Sequence, residues 1–292
     1  MICIRHNRYS PNDAWIQARR RRRQMRTVMV YNEKGGVGKT TLSAQLGAGL
    51  AIMGHKVLMI DADPQAHLTV ALKQRKRPYF YNLLVRDEFD GGAWKQCLTV
   101  VEPALYQFPS RESDGAVYLV PGNPETAGIV GNITDSFALF NKLEEVEDAF
   151  DYVFIDTAPT RSTLHAMLYL ASDHIIIPTQ LEAMSFDGIK QTLQNLQRFS
   201  HQRRQMGLRD ISMIALIPNM FRRTTGLHNE NLKLLSKPFA RVITEPIPLT
   251  ILWGELSQSD AASIFAYHPK SKITQVTWDI VKVIAERVAN HV

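Results

Sequence analysis

A glycine-rich loop constrains this chain of 292 residues more than any other feature. The loop reads Lys34-Gly35-Gly36-Val37-Gly38-Lys39-Thr40-Thr41, and it stands between a short apolar run at residues 27–31 and leucines at helical spacing. The apolar run predicts a buried strand, and the leucines predict a helix that ends at Gly54. Strand, glycine loop and helix in this order are the context of a phosphate-binding P-loop. A glycine turn that merely connects strand to helix is the alternative, and the agreement of motif with context argues against it.

The residue types of this loop indicate its chemistry. Glycines let backbone N–H groups turn toward phosphate oxygens, and the N-terminus of the following helix adds positive potential. Lys39 would bridge the β- and γ-phosphates of a nucleotide, and the Thr40 hydroxyl would ligate Mg²⁺. We therefore expect ATP and Mg²⁺ as cofactors, in a cradle made of Gly35, Gly36, Val37, Gly38, Lys39, Thr40 and Thr41.

Apolar runs of strand length recur along the chain with helical stretches between them. They lie at residues 27–31, 56–60, 152–155, 174–177 and 211–217. The alternation predicts the α/β class, with a P-loop, doubly wound, mostly parallel sheet flanked by helices and ligands at the carboxyl ends of the strands. Residues 73–116 are less regular, and we expect inserted helices and loops there. Residues 26–292 should form a single domain on this plan.

The formal net charge of +6 is unevenly distributed. Residues 1–26 hold eight arginines and one aspartate, so the other 266 residues sum to −1. Because like charges repel, we expect residues 1–25 to be a basic extension, either disordered or a short helix, with Met25 as an alternative start of translation. No apolar run approaches the ~20 residues of a membrane span, and no apolar stretch follows the basic N-terminus as in a secretory signal. We expect a cytoplasmic protein.

A second basic stretch lies within the body of the chain. Residues 198–241 hold nine lysines and arginines but two acids, which indicates an electropositive face. Binding to DNA without sequence specificity needs only several cations that face phosphates. The candidates are Arg198, Arg203, Arg204, Arg222 and Arg223, and an ordinary solvated surface is the alternative for each of them.

Lys34 makes the glycine loop more specific, because an ordinary P-loop requires no lysine directly before the glycine pair. With this lysine the loop resembles that of the ParA/MinD family of deviant Walker A ATPases, closest to the Soj-like ParA partition ATPases. The resemblance extends from about Met25 to the carboxyl end. It implies that Lys34 crosses a dimer interface to the partner's bound nucleotide and neutralises charge that develops on the phosphates.

Further motifs carry the same resemblance. Asp61-Ala62-Asp63-Pro64-Gln65 looks like the switch I segment of the family, and Asp156-Thr157-Ala158-Pro159 looks like its Walker B and switch II. By this match Asp63 orients the attacking water, while Asp61 and Asp156 support the Mg²⁺ shell. Asn219 falls where the family contacts adenine, and Pro248 falls where a proline loop covers the base.

The resemblance implies a slow ATPase that converts ATP and water to ADP and phosphate. An ATP-dependent homodimer would bind DNA nonspecifically and associate with the nucleoid, and a ParB-like partner would stimulate hydrolysis and release it. Three alternatives remain open: a MinD-like ATPase that binds membrane, a ParA-like ATPase that positions a protein cargo or conjugation apparatus, and a metabolic relative.

Two observations weigh on these alternatives. The metabolic relatives need cysteines near the dimer axis, and Cys3 and Cys97 do not form such a pair. A membrane-binding terminal helix needs exposed bulky apolar residues beside basic ones, whereas the apolar residues of the last helix form a stripe typical of packing on a core. Membrane is therefore not an expected partner.

Overall fold

The computed structural model describes residues 25–86, 92–109, 112–159, 162–182 and 185–290. The basic extension predicted at residues 1–25 lies outside this description except for Met25. The strands are β1 (Arg26–Val30), β2 (Lys56–Asp61), β3 (Thr99–Val100), β4 (Ala116–Val120), β5 (Tyr152–Asp156), β6 (His174–Gln180) and β7 (Ser212–Asn219).

The α-helices are α1 (Lys39–Ile52), α2 (His67–Ala71), α3 (Tyr79–Val85), α4 (Ala93–Cys97), α5 (Ile129–Asn132), α6 (Ala138–Glu144), α7 (Thr163–Ala171), α8 (Ser185–Gln205), α9 (Gly226–Ser236), α10 (Leu252–Gln258), α11 (Ile264–Tyr267) and α12 (Lys272–Asn290). Short 3₁₀ turns occupy Pro103–Leu105 and Pro124–Gly128.

The strands form one sheet in the order β3-β4-β2-β5-β1-β6-β7. Every neighbouring pair is parallel except β3 with β4, so the expected mostly parallel α/β fold is confirmed. The strand β1 lies between β5 and β6, and β2 lies on the other side of β5. The carboxyl ends of β1, β2 and β5 therefore meet at one edge of the sheet, with Asp61 directly beside Asp156 in the register.

The irregular interval at residues 73–116 contains the expected helices α3 and α4, but two strands near it escaped the sequence analysis. Residues Ala116–Val120 form β4, which pairs with β2, and the two-residue β3 pairs with β4 in the antiparallel sense. Residues Ala116–Val120 are apolar throughout, so the sequence did carry the signal of β4, whereas the two residues of β3 are too few to produce one.

Apolar layers cover both faces of the sheet. On one face α1 and α12 pack against inward-facing residues such as Val28, and on the other α7 and α8 pack against residues such as Met29. Gly49 lets α1 and α12 approach closely, because a Cβ at this position would collide with the side chain of Val281. The apolar stripe of α12 is buried at Ile280, Val281, Ile284 and Val288, as its spacing predicted.

Candidate nucleotide-binding site

The glycine loop joins β1 to α1 at the carboxyl edge of the sheet. Gly36 and Gly38 have φ angles of 73° and 92°, a left-handed conformation that residues with a Cβ rarely adopt. A Cβ at Gly38 would also collide with the side-chain amide of Asn219. Glycine at residue 38 thus serves both the turn and the close approach of β7 to the loop.

Lys39 lies inside this loop and is almost fully buried. Its Nζ donates hydrogen bonds to the backbone carbonyls of Asn32, at 3.0 Å, and of Lys34, at 3.2 Å. Burial lowers the pKa of the Lys39 ammonium, and the nearby carboxylates of Asp156 and Asp63 oppose this effect. The arrangement holds one cationic group where the predicted phosphates would lie.

Asp156 ends β5 beneath the start of α1 and has no exposed surface. Its two oxygens accept hydrogen bonds from Thr40 Oγ1, at 2.7 Å, and from Ser43 Oγ, at 3.0 Å. Burial and the neighbouring Asp61 raise the pKa of Asp156 to about 7, although the bonds from Thr40 and Ser43 lower it. Thr40 and Asp156 were expected here from the sequence, whereas Ser43 was not.

Asp61 lies beside Asp156 and is equally buried. One oxygen accepts hydrogen bonds from both the backbone N–H and the hydroxyl of Thr69, at 2.7 and 2.6 Å. Burial raises the pKa of Asp61 to about 6, against the lowering effect of Thr69. Adjacent buried carboxylates with raised pKa values, next to a hydroxyl, suit a hard divalent cation, which would stabilise their ionised forms. The residues present therefore fit the Mg²⁺ that the sequence implies.

Asp63 follows β2 and is largely buried near Lys39. Its Oδ1 accepts a hydrogen bond of 2.9 Å from the backbone N–H of Gln65. The backbone N–H of Asp63 in turn donates to Asp61 Oδ1, at 3.3 Å. The switch-like segment is thus folded around its own two carboxylates at the edge where the glycine loop begins.

Lys34 lies at the mouth of the loop, where its side chain is about one-third exposed. Its Nζ forms an ion pair of 2.6 Å with Glu182, which follows β6. This pair lowers the pKa of Glu182. Glu182 was not expected at this site, since a glutamate 148 residues away from a lysine has no local signal.

Residues at the ends of β6 and β7 contact the backbone of the glycine loop. Asn219 Nδ2 donates to the carbonyl of Val37, at 2.8 Å, so this amide contacts the glycine loop itself. Gln180 Nε2 donates to the carbonyl of Gly36, at 3.2 Å. Pro248 pairs with Phe221 in an isolated parallel β-bridge, just beyond the end of β7. Asn219 thus contacts the loop, Pro248 lies beside Phe221, and the contact of either residue with adenine stays a prediction.

The five candidate arginines for DNA do not form one face. Arg222 and Arg223 are exposed and follow β7 at the carboxyl edge, near the loop. Arg198 and Arg204 are exposed on the C-terminal half of α8, which leads away from this edge. Arg204 forms an ion pair of 2.5 Å with Asp210, two residues before β7 begins at the opposite edge.

Arg203 requires a correction, because its side chain is only 2% exposed. Its guanidinium donates to the carbonyls of Arg209, at 2.7 Å, and Leu170, at 2.5 Å, and pairs with Asp173 at 3.2 Å. An arginine buried in this way cannot face DNA phosphates. Arg203 was predicted to be on the surface because a basic stretch of sequence does not indicate which of its side chains is buried.

Comparisons with known proteins agree with this geometry. A family model described as an AAA domain matches residues 25–208. The sporulation initiation inhibitor protein Soj of Bacillus subtilis is 30% identical over 266 residues, which cover 88% of this chain and 97% of Soj. The chain belongs to the Soj/ParA family of P-loop ATPases. The chromosome-partitioning ATPase Soj of Treponema pallidum is 28% identical over 79% of this chain and 85% of its own length.

Solved structures show the same fold. Cobyrinic acid a,c-diamide synthase from Mycobacterium smegmatis, with bound ADP and magnesium, has a TM-score of 0.69 at 24% identity, over 92% of this chain and 97% of its own. The septum site-determining protein MinD from Pyrococcus horikoshii, complexed with Mg-ADP, has a TM-score of 0.65 at 20% identity, over 90% and 95%. Both of those proteins hold a nucleotide and magnesium, and what this chain shares with them is the fold.

Proposed function

We propose that this chain is a partition or positioning ATPase. The proposal rests above all on Lys34, which precedes the glycine pair and lies at the mouth of the loop in a chain that spans nearly all of Soj. Mg-ATP binding would join two copies around their nucleotides, and the dimer would bind DNA without sequence preference. Slow hydrolysis, stimulated by a ParB-like partner, would release the dimer from the nucleoid.

The residues of this chain divide the work of ATP hydrolysis among them. The glycine loop and Lys39 bind and orient the phosphates, while Thr40, Asp61 and Asp156 would hold Mg²⁺, which supplies charge neutralisation at the phosphates when it is bound. Asp63 would position the attacking water and accept its proton. Lys34 would release Glu182 and reach the partner copy's phosphates.

A MinD-like or metabolic role has less support. The apolar stripe of α12 is buried against α1, so it is not offered to a membrane surface. None of the described helices is long and apolar enough to cross a membrane. Cys97 is buried and its burial raises its pKa to about 11, while Cys3 lies outside the described residues.

DNA retention tests the proposal. With ATP the full chain should retain long duplex DNA of arbitrary sequence, and with ADP it should not. Replacing both Arg222 and Arg223 by glutamine should weaken retention equally for every sequence, because phosphate contacts carry no sequence information. The affinity of the wild-type protein should fall about tenfold or more between roughly 50 and 200 mM salt.

Arg204→Gln is the matched control, since Arg204 is exposed but lies at the opposite edge and is paired with Asp210. Loss of retention with Arg204→Gln, and not with the Arg222 and Arg223 pair, would move the DNA surface to α8. A protein that ignores DNA in ATP but sediments with anionic vesicles would refute the partition role in favour of a MinD-like one.

A further inference from the structure

A second basic surface lies beside the switch-like segment, on the other side of the nucleotide site from Arg222 and Arg223. It is the basic run of residues 73–77, which reads Lys73-Gln74-Arg75-Lys76-Arg77. Residues 64–86 hold five lysines and arginines and no aspartate or glutamate. The run follows α2, and Pro78 separates it from α3.

The backbone of the basic run is held in place. Lys73 follows α2 and has a left-handed conformation, with φ 59°, and the N–H of Gln74 donates to the carbonyl of Thr69. At the other end the N–H of Arg77 donates to the carbonyl of Gly122, just after β4. Lys73 Nζ donates to the carbonyl of Ser257, at 3.1 Å, at the end of α10. Because the backbone is already fixed, the run would lose little conformational entropy when it binds a ligand.

The two arginines of this run remain available to a ligand. Arg75, Lys76 and Arg77 are exposed, and within the described parts of the chain no acidic side chain forms an ion pair with them. Protein interfaces are centred on apolar and aromatic side chains, and the run contains none. Adjacent cations without an apolar anchor fit the phosphates of a nucleic-acid backbone better than a protein partner.

The basic run is also connected to the nucleotide site. Lys76 Nζ donates to the carbonyl of Gln65, at 2.5 Å, at the end of the switch-like segment. Gly122, which accepts from Arg77, lies so close to Asp61 that a Cβ on it would collide with the Asp61 carbonyl. A rearrangement of residues 61–65 on nucleotide binding would therefore shift the run.

From these contacts we propose that the basic run of residues 73–77 is a second DNA-backbone surface, whose position depends on the switch-like segment. The inference rests on the proposed function, because it adds a contact to the ATP-dependent binding of DNA. It predicts that phosphates are engaged on both sides of the nucleotide site, by Arg222 and Arg223 on one side and by Arg75 and Arg77 on the other.

The test compares salt dependence of DNA binding for the full chain in a slowly hydrolysed ATP analogue, with duplex DNA of random sequence. Arg75→Gln combined with Arg77→Gln should weaken binding about tenfold at roughly 100 mM salt. The slope of log affinity against log salt should become shallower by about 2 per protomer, one for each lost phosphate contact. The control, Lys270→Gln with Lys272→Gln, removes the same charge from another exposed segment and should change affinity less than about twofold.

Each outcome is decisive. If the arginine variant and the lysine control bind DNA with equal affinity and equal salt dependence, the second surface is refuted. The proposed function would still stand in that case, provided that the wild-type protein binds DNA in ATP. A wild-type protein that fails to bind DNA in ATP would overturn both proposals. If the arginine variant loses binding to polyglutamate and keeps its binding to DNA, the surface recognises an acidic protein instead. Arg75→Lys with Arg77→Lys, which preserves charge, should retain DNA binding and shows that any loss is not caused by misfolding.

Discussion

At the scale of single residues, Asp61 and Asp63 have different surroundings although they are two positions apart. One oxygen of Asp61 accepts two hydrogen bonds from Thr69, and Asp61 lies beside Asp156, in the region suited to a cation. Asp63 accepts from the backbone of Gln65 and lies near Lys39, which would bind the phosphates. In the proposed function Asp61 would therefore have a structural role beside the metal, and Asp63 would contact water at the phosphates.

This difference predicts the behaviour of Asp63→Ala. The variant should bind ATP with nearly wild-type affinity because the glycine loop, Lys39 and Asp156 are untouched. Hydrolysis should fall at least ~10²-fold, since the group that orients water and accepts its proton is lost. Phosphate-release kinetics, paired with nucleotide titration, measure the two effects separately. Normal turnover by Asp63→Ala would exclude the proposed role.

At the scale of elements, Arg203 connects three parts of the fold. It extends from α8, binds the carbonyl of Leu170 in α7, and pairs with Asp173 directly before β6. Because the side chain is buried, removing it would leave carbonyl oxygens and a carboxylate without these donors. The buried guanidinium of Arg203 therefore stabilises the contact between these elements, whereas the neighbouring Arg204 makes an exposed ion pair.

The contrast predicts two different changes in stability. Arg203→Ala should lower the free energy of unfolding by about 3 kcal/mol, which is typical of breaking a buried ion pair. Arg204→Ala should lower it by less than ~1 kcal/mol, because exposed pairs contribute little. Urea denaturation of both variants measures the difference. A fully stable Arg203→Ala that no longer binds DNA would restore the original prediction of a DNA contact.

At the scale of the whole molecule, the nucleotide site of one copy would be completed by Lys34 of another. In the single chain Lys34 is paired with Glu182 at the mouth of the loop, where its side chain is about one-third exposed. Lys34→Ala should bind ATP and remain monomeric, because the charge that spans the two nucleotides is missing. Sizing in ATP, alongside turnover, measures this result.

Glu182→Gln is the matched control for Lys34, since it removes the same ion pair and leaves the lysine. It should dimerise in ATP at least as well as the wild-type protein. A Lys34→Ala variant that dimerises and hydrolyses ATP normally would contradict the role of Lys34 across the interface.

The sequence alone determined the parts of this protein that depend on neighbouring residues. The order of strand, glycine loop and helix specifies the phosphate cradle, because the left-handed glycines and Lys39 lie within a few residues of one another. The long apolar runs likewise identified the central strands, since each is buried on both faces. Asp61 and Asp156 were placed together by their resemblance to the motifs of the family, and both end parallel strands, whose carboxyl ends meet at one edge.

Only the tertiary structure decided which charged residues are free to act. Arg203 and Arg204 are adjacent in sequence, yet one is buried against Leu170 and Asp173 and the other is exposed. The pairing of Lys34 with Glu182 and the position of the basic run beside Gly122 also depend on contacts between residues far apart in the chain. Charge and spacing indicate that a residue could bind a phosphate, and burial and distant partners determine whether it is available to do so.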